Sequence, residues 1–180
     1  AGKPLVSNGL RGTMFGDEYL PLSGGTLTGN LVVNGVLLVK KGNPWVDVKA
    51  FGAVGNGETD DTQAIQSAID SIEATGGIVL FPKGTYLVSD SIVIPSGVTL
   101  LGVSTKHTAY SILKADPNST MASIVVSKNI TTPDIITDVA VLGLVFDNNH
   151  VADLVSIRIV GDAFIDSCHF KNIDTSSNAA

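Results

Sequence analysis

The stretch "GAVGNGETDDTQAIQSAID", residues 52–70, combines a glycine-rich turn with the densest group of acids in the chain. Glu58, Asp60 and Asp61 fall within four residues. Such a group can bind a metal, supply paired catalytic carboxylates, or begin a helix. The spacing favours a helix start, because Asp60 stands at an N-cap position and Gln63 completes an Asp-x-x-Gln capping box. Asp61 then falls in the first turn, where the helix dipole favours negative charge. We therefore predict a structural cap and no metal site.

An apolar stripe follows these acids and predicts a helix over about residues 61–74. Ile65, Ile69 and Ile72 recur at helical spacing and define a single apolar face. The glycine pair at 76–77 ends the pattern, as glycine commonly does after a helix. We expect the apolar face of this helix to matter more for the fold than its charge.

From residue 78 onwards the chain is a series of short apolar segments separated by turn signals, which predicts a mainly β structure. No long helical pattern returns, so a sandwich, a barrel or a solenoid remains. An internal repeat favours the solenoid: "VAVLGLVFDN" at 139–148 aligns without gaps on "AFIDSCHFKN" at 163–172. The spacing from residue 139 to residue 163 is 24, a period typical of stacked coils.

The bulk composition excludes several classes of partner. The 180 residues are 44% apolar and carry a net charge of −6, with 11 scattered Lys and Arg residues. Nucleic acid and anionic membranes both require a basic cluster, so neither is expected as a partner. No apolar run approaches the ~18 residues of a membrane span. Cys168 is the only cysteine, which excludes an internal disulfide and a cysteine-rich zinc site. No cofactor is predicted.

The amino-terminal segment, residues 1–43, differs in composition from residues 44–180, and we predict a domain boundary between them. Its "LVVNGVLLV" run, residues 31–39, flanks an Asn-Gly pair and predicts a β-hairpin. Both arms are apolar, and large apolar faces rarely stay exposed. The hairpin could form a local core, but we expect it to contact another subunit or a partner protein through four side chains: Leu31, Val33, Val36 and Leu38.

Residues 46–102 resemble the start of the pectate-lyase-like β-helix family, which includes many phage tailspikes. The shared pattern is a strand, Phe-Gly-Ala, a glycine turn, Thr-Asp-Asp-Thr, an apolar helix and Phe-Pro-x-Gly-x-Tyr. Asn56 is a departure, since the family usually has Asp there, although Asn also tolerates a left-handed turn. The run "LPLSGGTLTGNLVVNG" at 20–35 is similar to a motif of phage tail fibres.

The resemblance implies a single-stranded right-handed parallel β-helix with an amino-terminal capping α-helix, preceded by an extended, hairpin-containing segment near the virion. It also implies a homotrimer in the virion, in contact with tail, neck or baseplate proteins. A host cell-surface glycan would be bound by a carboxy-terminal region beyond this chain, because the repeat stops after residue 172 with no obvious cap. On this interpretation the chain is chiefly structural, and any lyase or hydrolase groove for glycan depolymerisation in the full-length protein lies in later coils.

Candidate catalytic residues lie in the predicted coils. Asp147 and Asp166 are the candidate catalytic acids or bases. They belong to a larger set of titratable side chains in the coils, which also includes His150, Asp153, Asp162 and His169. A glycoside hydrolase needs two carboxylates ~5 Å apart for retention or ~6.5–9.5 Å apart for inversion. A lyase needs a base and usually a cation. The sequence shows no closely spaced pair of acids in these coils. Polar residues are expected on the outer face of a solenoid in any case. Cys168 is expected to fill the interior.

Two other functions remain open at this point. The chain could itself be a polysaccharide or teichoic-acid lyase or hydrolase, which would release unsaturated or reducing sugar ends. It could instead bind sugars without turnover. Aromatic residues make up only 6% of the chain and offer few stacking platforms for sugars, which counts against the binding module.

Overall fold

The computed structural model describes residues 45–103, 110–128 and 135–173. The predicted hairpin and its contact residues Leu31, Val33, Val36 and Leu38 lie outside these ranges, as does the whole predicted segment 1–43. No helix among the described residues is long and apolar enough to cross a membrane.

The described residues form thirteen strands, one α-helix, and a short 3-10 helix at Val48–Phe51. Four of the strands alternate buried and half-buried residues throughout, the pattern of a strand with one face on a core. The α-helix is α1, Thr62–Asp70. The strands are β1 Trp45–Asp47, β2 Asn56–Asp60, β3 Gly77–Phe81, β4 Gly84–Val88, β5 Ile92–Ile94, β6 Val98–Gly102, β7 Ser111–Ala115, β8 Ser123–Ser127, β9 Ile136–Leu142, β10 Leu144–Asp147, β11 Val155–Arg158, β12 Gly161–Asp166 and β13 His169–Lys171.

The strands make three parallel sheets. Sheet A has the order β1-β3-β6-β9-β12, sheet B has β2-β4-β7-β10-β13, and sheet C has β5-β8-β11. The chain visits A, B and C in turn and then returns to A beside the previous strand, so each circuit is one coil. The predicted right-handed parallel β-helix is confirmed.

The core runs along the inside of the coils as rows of stacked apolar side chains. In sheet A, Val79 pairs with Leu100, and Leu100 pairs with Val141. All three are fully buried. Burying such a side chain contributes about 1.5–3 kcal/mol, so each complete row is a substantial source of stability. Val141 in turn pairs with Ile165 of β12, which is 45% exposed in the last described coil.

The predicted 24-residue repeat is confirmed by the strand register. Ala163 pairs with Val139, and Phe170 pairs with Phe146. The backbone bonds continue this register at the aligned asparagines, because the N–H of Asn148 donates at 3.1 Å to the carbonyl of Lys171, the residue before Asn172. Equivalent positions of the repeat therefore lie one above the other.

Helix α1 is shorter than predicted and ends at Asp70 rather than near residue 74. Beyond it the backbone makes tighter bonds, such as Thr75 N–H to the carbonyl of Ile72 at 3.2 Å. The Ser71 hydroxyl also donates to the Ala68 carbonyl at 2.7 Å, and such local side-chain bonds compete with helix continuation. The predicted apolar face is fully buried, at Ile65, Ile69 and Ile72. The helix follows β2, at the place in the circuit where later coils have their sheet C strand.

Candidate functional site

Asp60 links the start of α1 to the turn between β4 and β5. One carboxylate oxygen accepts from the Thr62 backbone N–H at 3.0 Å and from the Thr62 hydroxyl, and the other accepts from Ser89 Oγ at 2.6 Å. Partial burial alone raises the pKa of Asp60, but the hydrogen bonds from Ser89 and Thr62 outweigh it and leave the pKa below its usual value. Asp60 therefore serves as a charged hydrogen-bond acceptor between two segments.

Asp61 does not lie in the first helical turn as predicted, because the helix starts at Thr62 and Asp61 itself holds the N-cap position. Its side chain turns inward instead. It is 1% exposed and accepts from the backbone N–H groups of Val54 at 2.6 Å and Gly55 at 2.9 Å. Asp61 thus holds the glycine-rich loop against the helix start. The sequence predicts a different role for it, a negative charge placed favourably near the helix dipole.

In the predicted capping box the Gln63 side chain would bond back to the backbone of the N-cap residue, but it makes another contact instead. Gln63 Nε2 donates to Ser67 Oγ at 3.3 Å, one turn further along the helix. The N-cap residue is Asp61 rather than Asp60, so Gln63 stands two residues after the N-cap instead of the required three. Among the described residues no group of three His, Cys, Asp or Glu side chains could hold a metal ion.

Asp147 ends β10 and is held by the next coil. Its carboxylate accepts from Lys171 Nζ at 3.0 Å, Asn172 Nδ2 at 2.7 Å and the backbone N–H of Asn149 at 3.0 Å. The side chain is only 9% exposed. Burial alone raises the pKa of Asp147, but the hydrogen bonds from Asn172, Lys171 and Asn149, with the charge of Lys171, lower it overall. A carboxylate held in this way is a weak proton acceptor.

The structure does not pair Asp166 with Asp147. Asp166 ends β12 in sheet A, opposite Leu142, whereas Asp147 ends β10 in sheet B. Asp166 is exposed and accepts from the neighbouring Ser167 hydroxyl at 3.0 Å. The two carboxylates therefore end strands of different sheets, and each bonds to different neighbours.

The other candidates from the coils are dispersed. His150 and Asp153 lie on the loop after β10, both exposed and both with positive φ angles of 59° and 57°. His169 is exposed on β13. Cys168 is half-buried against the core, with Sγ 3.4 Å from the Val141 carbonyl, and burial raises the pKa of its thiol. A thiol with a raised pKa is a poor nucleophile.

A shallow surface cavity of about 410 Å³ brings Asp162 together with a residue that the sequence did not indicate. Asp138 lines it with Asp162, beside the 65% exposed Phe164. The register of β9 and β12 shifts between Gly161 and Ala163 beside this wall. The φ of Gly161 is 139°, and a Cβ there would lie 2.0 Å from the Ile136 carbonyl oxygen. Two carboxylates beside an exposed ring are groups that can contact a sugar by hydrogen bonding and stacking.

Residues 45–177 match the family described as rhamnogalacturonase A/epimerase, pectate lyase-like. The chain belongs to this family. The match includes all thirteen strands and helix α1. The resemblance of residues 46–102 to pectate-lyase-like proteins is therefore confirmed over a much longer stretch of chain.

Individual relatives of this pectate-lyase-like chain include phage and bacterial proteins. It is 40% identical over 72 residues to the pre-neck appendage protein of Bacillus phage B103, covering 40% of this chain and 8% of that protein. It is 41% identical over 75 residues to alginate lyase 7 of Azotobacter vinelandii, covering 37% and 9%. The chain spans about a tenth or less of the length of these curated relatives.

Among solved structures, ORF18 of Geobacillus virus E2 superposes with a TM-score of 0.54 at 28% sequence identity. The similarity covers 72% of this pectate-lyase-like chain and 27% of the viral protein. The coils described above thus correspond to a part of a longer viral protein.

Proposed function

We propose that this chain is the amino-terminal structural part of a phage tail or neck appendage, a component of the virion that carries a glycan-binding or glycan-degrading β-helix. The similarity to the pre-neck appendage protein of phage B103 carries this proposal, and that to the Geobacillus virus protein supports it. On this proposal residues 1–43 organise a homotrimer and contact other virion proteins, and α1 covers the first coil.

The contacts of the acids favour a structural role. Asp60 joins two segments of chain, Asp61 holds a loop, and Asp147 joins two coils. Each carboxylate is occupied by donors of the protein itself. Acids engaged in this way stabilise a fold, whereas a general base must be free to take a proton from a substrate.

The virion role is tested on particles of the phage that encodes the chain. Purified virions are digested and their proteins are identified by mass spectrometry, with an antibody against residues 44–180 used to locate the chain by electron microscopy. We expect peptides of this chain in stoichiometric amounts and label at the tail or neck. A chain absent from washed virions but present in the lysate contradicts the proposal.

The assembly is tested on the full chain by sedimentation. We expect a trimer, and a double Val36→Asp, Leu38→Asp variant is expected to sediment as a smaller species because it places charge on the predicted apolar contact. Lys40→Ser with Lys41→Ser is the matched control, since it lowers the net charge by the same amount on the adjoining residues without touching the apolar run. Equal sedimentation of both variants and the wild type contradicts the assigned contact.

A second candidate function is a glycan lyase or hydrolase, favoured by the cavity that Asp138, Asp162 and Phe164 line. The similarity to alginate lyase 7 suggests acidic polysaccharides as substrates to test. Formation of unsaturated or reducing ends from alginate, pectin and teichoic acid would be measured for the wild type, Asp138→Asn and Asp162→Asn. Asp147→Asn and Asp166→Asn test the residues named from the sequence, and exposed Asp153→Asn is the control. No activity on any of these polymers rejects this function, and full activity in both Asp138→Asn and Asp162→Asn rejects the cavity as its site.

A further inference from the structure

Gln66 connects helix α1 to the backbone of sheet C. Its Oε1 accepts from the Val93 backbone N–H at 2.9 Å, and its Nε2 donates to the Val93 carbonyl at 3.1 Å. Nε2 also donates to Asp70 Oδ1 at 2.8 Å, one turn along the helix. The side-chain amide of Gln66 therefore bonds both polar backbone groups of one residue that lies 27 positions away in the chain.

Val93 is the middle residue of β5, the first strand of sheet C. Residues of a parallel strand send their backbone groups alternately to the two sides. The Ile94 carbonyl accepts from the Lys128 N–H at 2.9 Å, on the side of β8. The groups of Val93 consequently point to the opposite side, where sheet C has no earlier strand among the residues that the structure describes.

Helix α1 lies on this side of β5. It follows β2 in the first coil and takes the place in the circuit of a sheet C strand. Its buried residues Ile65 and Ile69 hold it by apolar contact, which has no preferred direction. The Gln66 amide adds direction, because it offers one donor and one acceptor as a peptide group of a neighbouring strand would.

We propose that Gln66 is a latch that holds α1 in the place of the missing strand and so closes the β5 edge to strand addition by a second copy of the chain. An open strand edge presents unpaired N–H and C=O groups and templates pairing with another chain. With the latch in place these groups are already bonded. Without it the helix opens more often and exposes β5. This inference does not depend on the proposed virion role.

The test compares Gln66→Met with Gln63→Met in the full chain. Methionine keeps the length and helix propensity of glutamine but has no amide. Gln63 is the matched control, because it is exposed on the same helix and bonds only the Ser67 hydroxyl in the described structure. Amide hydrogen exchange is followed by NMR at Val93, and sedimentation is measured over a range of protein concentrations.

We expect the Val93 amide of Gln66→Met to exchange at least tenfold faster than in the wild type, and species larger than the wild-type assembly to accumulate with concentration. Gln63→Met is expected to match the wild type in both measurements. Unchanged exchange at Val93 overturns the latch. Faster exchange with wild-type sedimentation overturns the closure against strand addition.

A second variant covers the case in which Gln66→Met does not fold. Gln66→Glu keeps an acceptor for the Val93 N–H but, when ionised, has no donor for the Val93 carbonyl. Protonation below about pH 4.3 restores a donor. We expect the exchange rate at Val93, relative to wild type, to fall towards one as the pH is lowered through this value. A ratio that is independent of pH overturns the proposal.

Discussion

The ring of Phe170 lies over the ring of Phe146, with their centroids 5.3 Å apart and their planes inclined by 15°. The two residues are paired in register between β13 and β10, one coil apart. Phe146 is fully buried, whereas Phe170 is 42% exposed in the last described coil. The same stacked position is thus fully buried in one coil and partly exposed in the next.

This difference predicts unequal effects of two identical substitutions. Phe146→Ala should lower the free energy of unfolding by about 3–5 kcal/mol, the range for a large buried side chain. Phe170→Ala should cost about 1–2 kcal/mol, since nearly half of its surface is already in water. Urea denaturation of the two variants measures both values. Equal losses would show that Phe170 is covered in the intact protein.

Asp147 should make the stability of the protein depend on pH. Its pKa in the folded protein lies below the unfolded value near 3.8, so its contribution is fully present above that value and is lost as the pH falls through the folded pKa. Asp147→Asn should therefore lower the free energy of unfolding by about 2 kcal/mol at pH 7, the scale of hydrogen bonds to a charged group. The difference from wild type should narrow towards pH 3.

Urea denaturation at pH 7, 5 and 3 measures this effect, with the exposed Asp153→Asn as the control. The control should change stability little at each pH. A loss in Asp147→Asn that has the same size at pH 3 and pH 7 would mean that charge contributes nothing to the contact with Lys171.

The two neighbouring acids at the helix start should respond differently to removal. Asp60→Ala should cost about 1 kcal/mol, as the loss of a helix-start acceptor does. Asp61→Ala should cost about 3 kcal/mol, because it leaves the N–H groups of Val54 and Gly55 without their partner in a buried place. Thermal unfolding monitored by circular dichroism measures both losses. A larger loss of stability for Asp60→Ala would contradict the assignment of Asp61 as the residue that holds the glycine-rich loop.

The glycine-rich loop offers a matched pair of substitutions. A Cβ at Gly55 would lie 2.9 Å from Cε1 of the fully buried Tyr86, whereas one at Gly52 would have no atom within 4 Å. Both glycines have positive φ angles, so alanine costs about 1–2 kcal/mol of backbone strain at either. Gly55→Ala should lose about 1–3 kcal/mol more through overpacking. Chemical denaturation that finds the two variants equally stable would show that the Tyr86 ring can move aside.

The local patterns of the sequence predicted the solenoid because its elements follow short-range rules. The helical spacing of Ile65, Ile69 and Ile72 needs only neighbouring residues to be recognised, and all three are buried as expected. The alignment of 139–148 on 163–172 likewise requires no knowledge of the fold, since stacked coils place repeated residues over one another. The helix end was missed because hydroxyl contacts of Ser71 compete with continuation there.

The side-chain contacts could not be predicted in the same way, because they depend on distances across the fold. Gln66 meets Val93 only when α1 takes the place of a strand. Asp61 meets Val54 and Gly55 only after the glycine loop has folded back. Asp138 and Asp162 line one cavity only because β9 pairs with β12, with a register shift between Gly161 and Ala163. These contacts cannot be predicted from the separation of the residues along the chain or from the residue types.

The inward residues of sheet A occur at unequal intervals along the chain. The steps from Val79 to Leu100, from Leu100 to Val141 and from Val141 to Ile165 are 21, 41 and 24 residues, yet these four residues pair in one row. Lengthening a corner costs closure entropy that grows only with the logarithm of its length. Insertions at the corners therefore change the exterior while this interior row stays in register. Relatives can then differ on their surfaces and still share one cross-section.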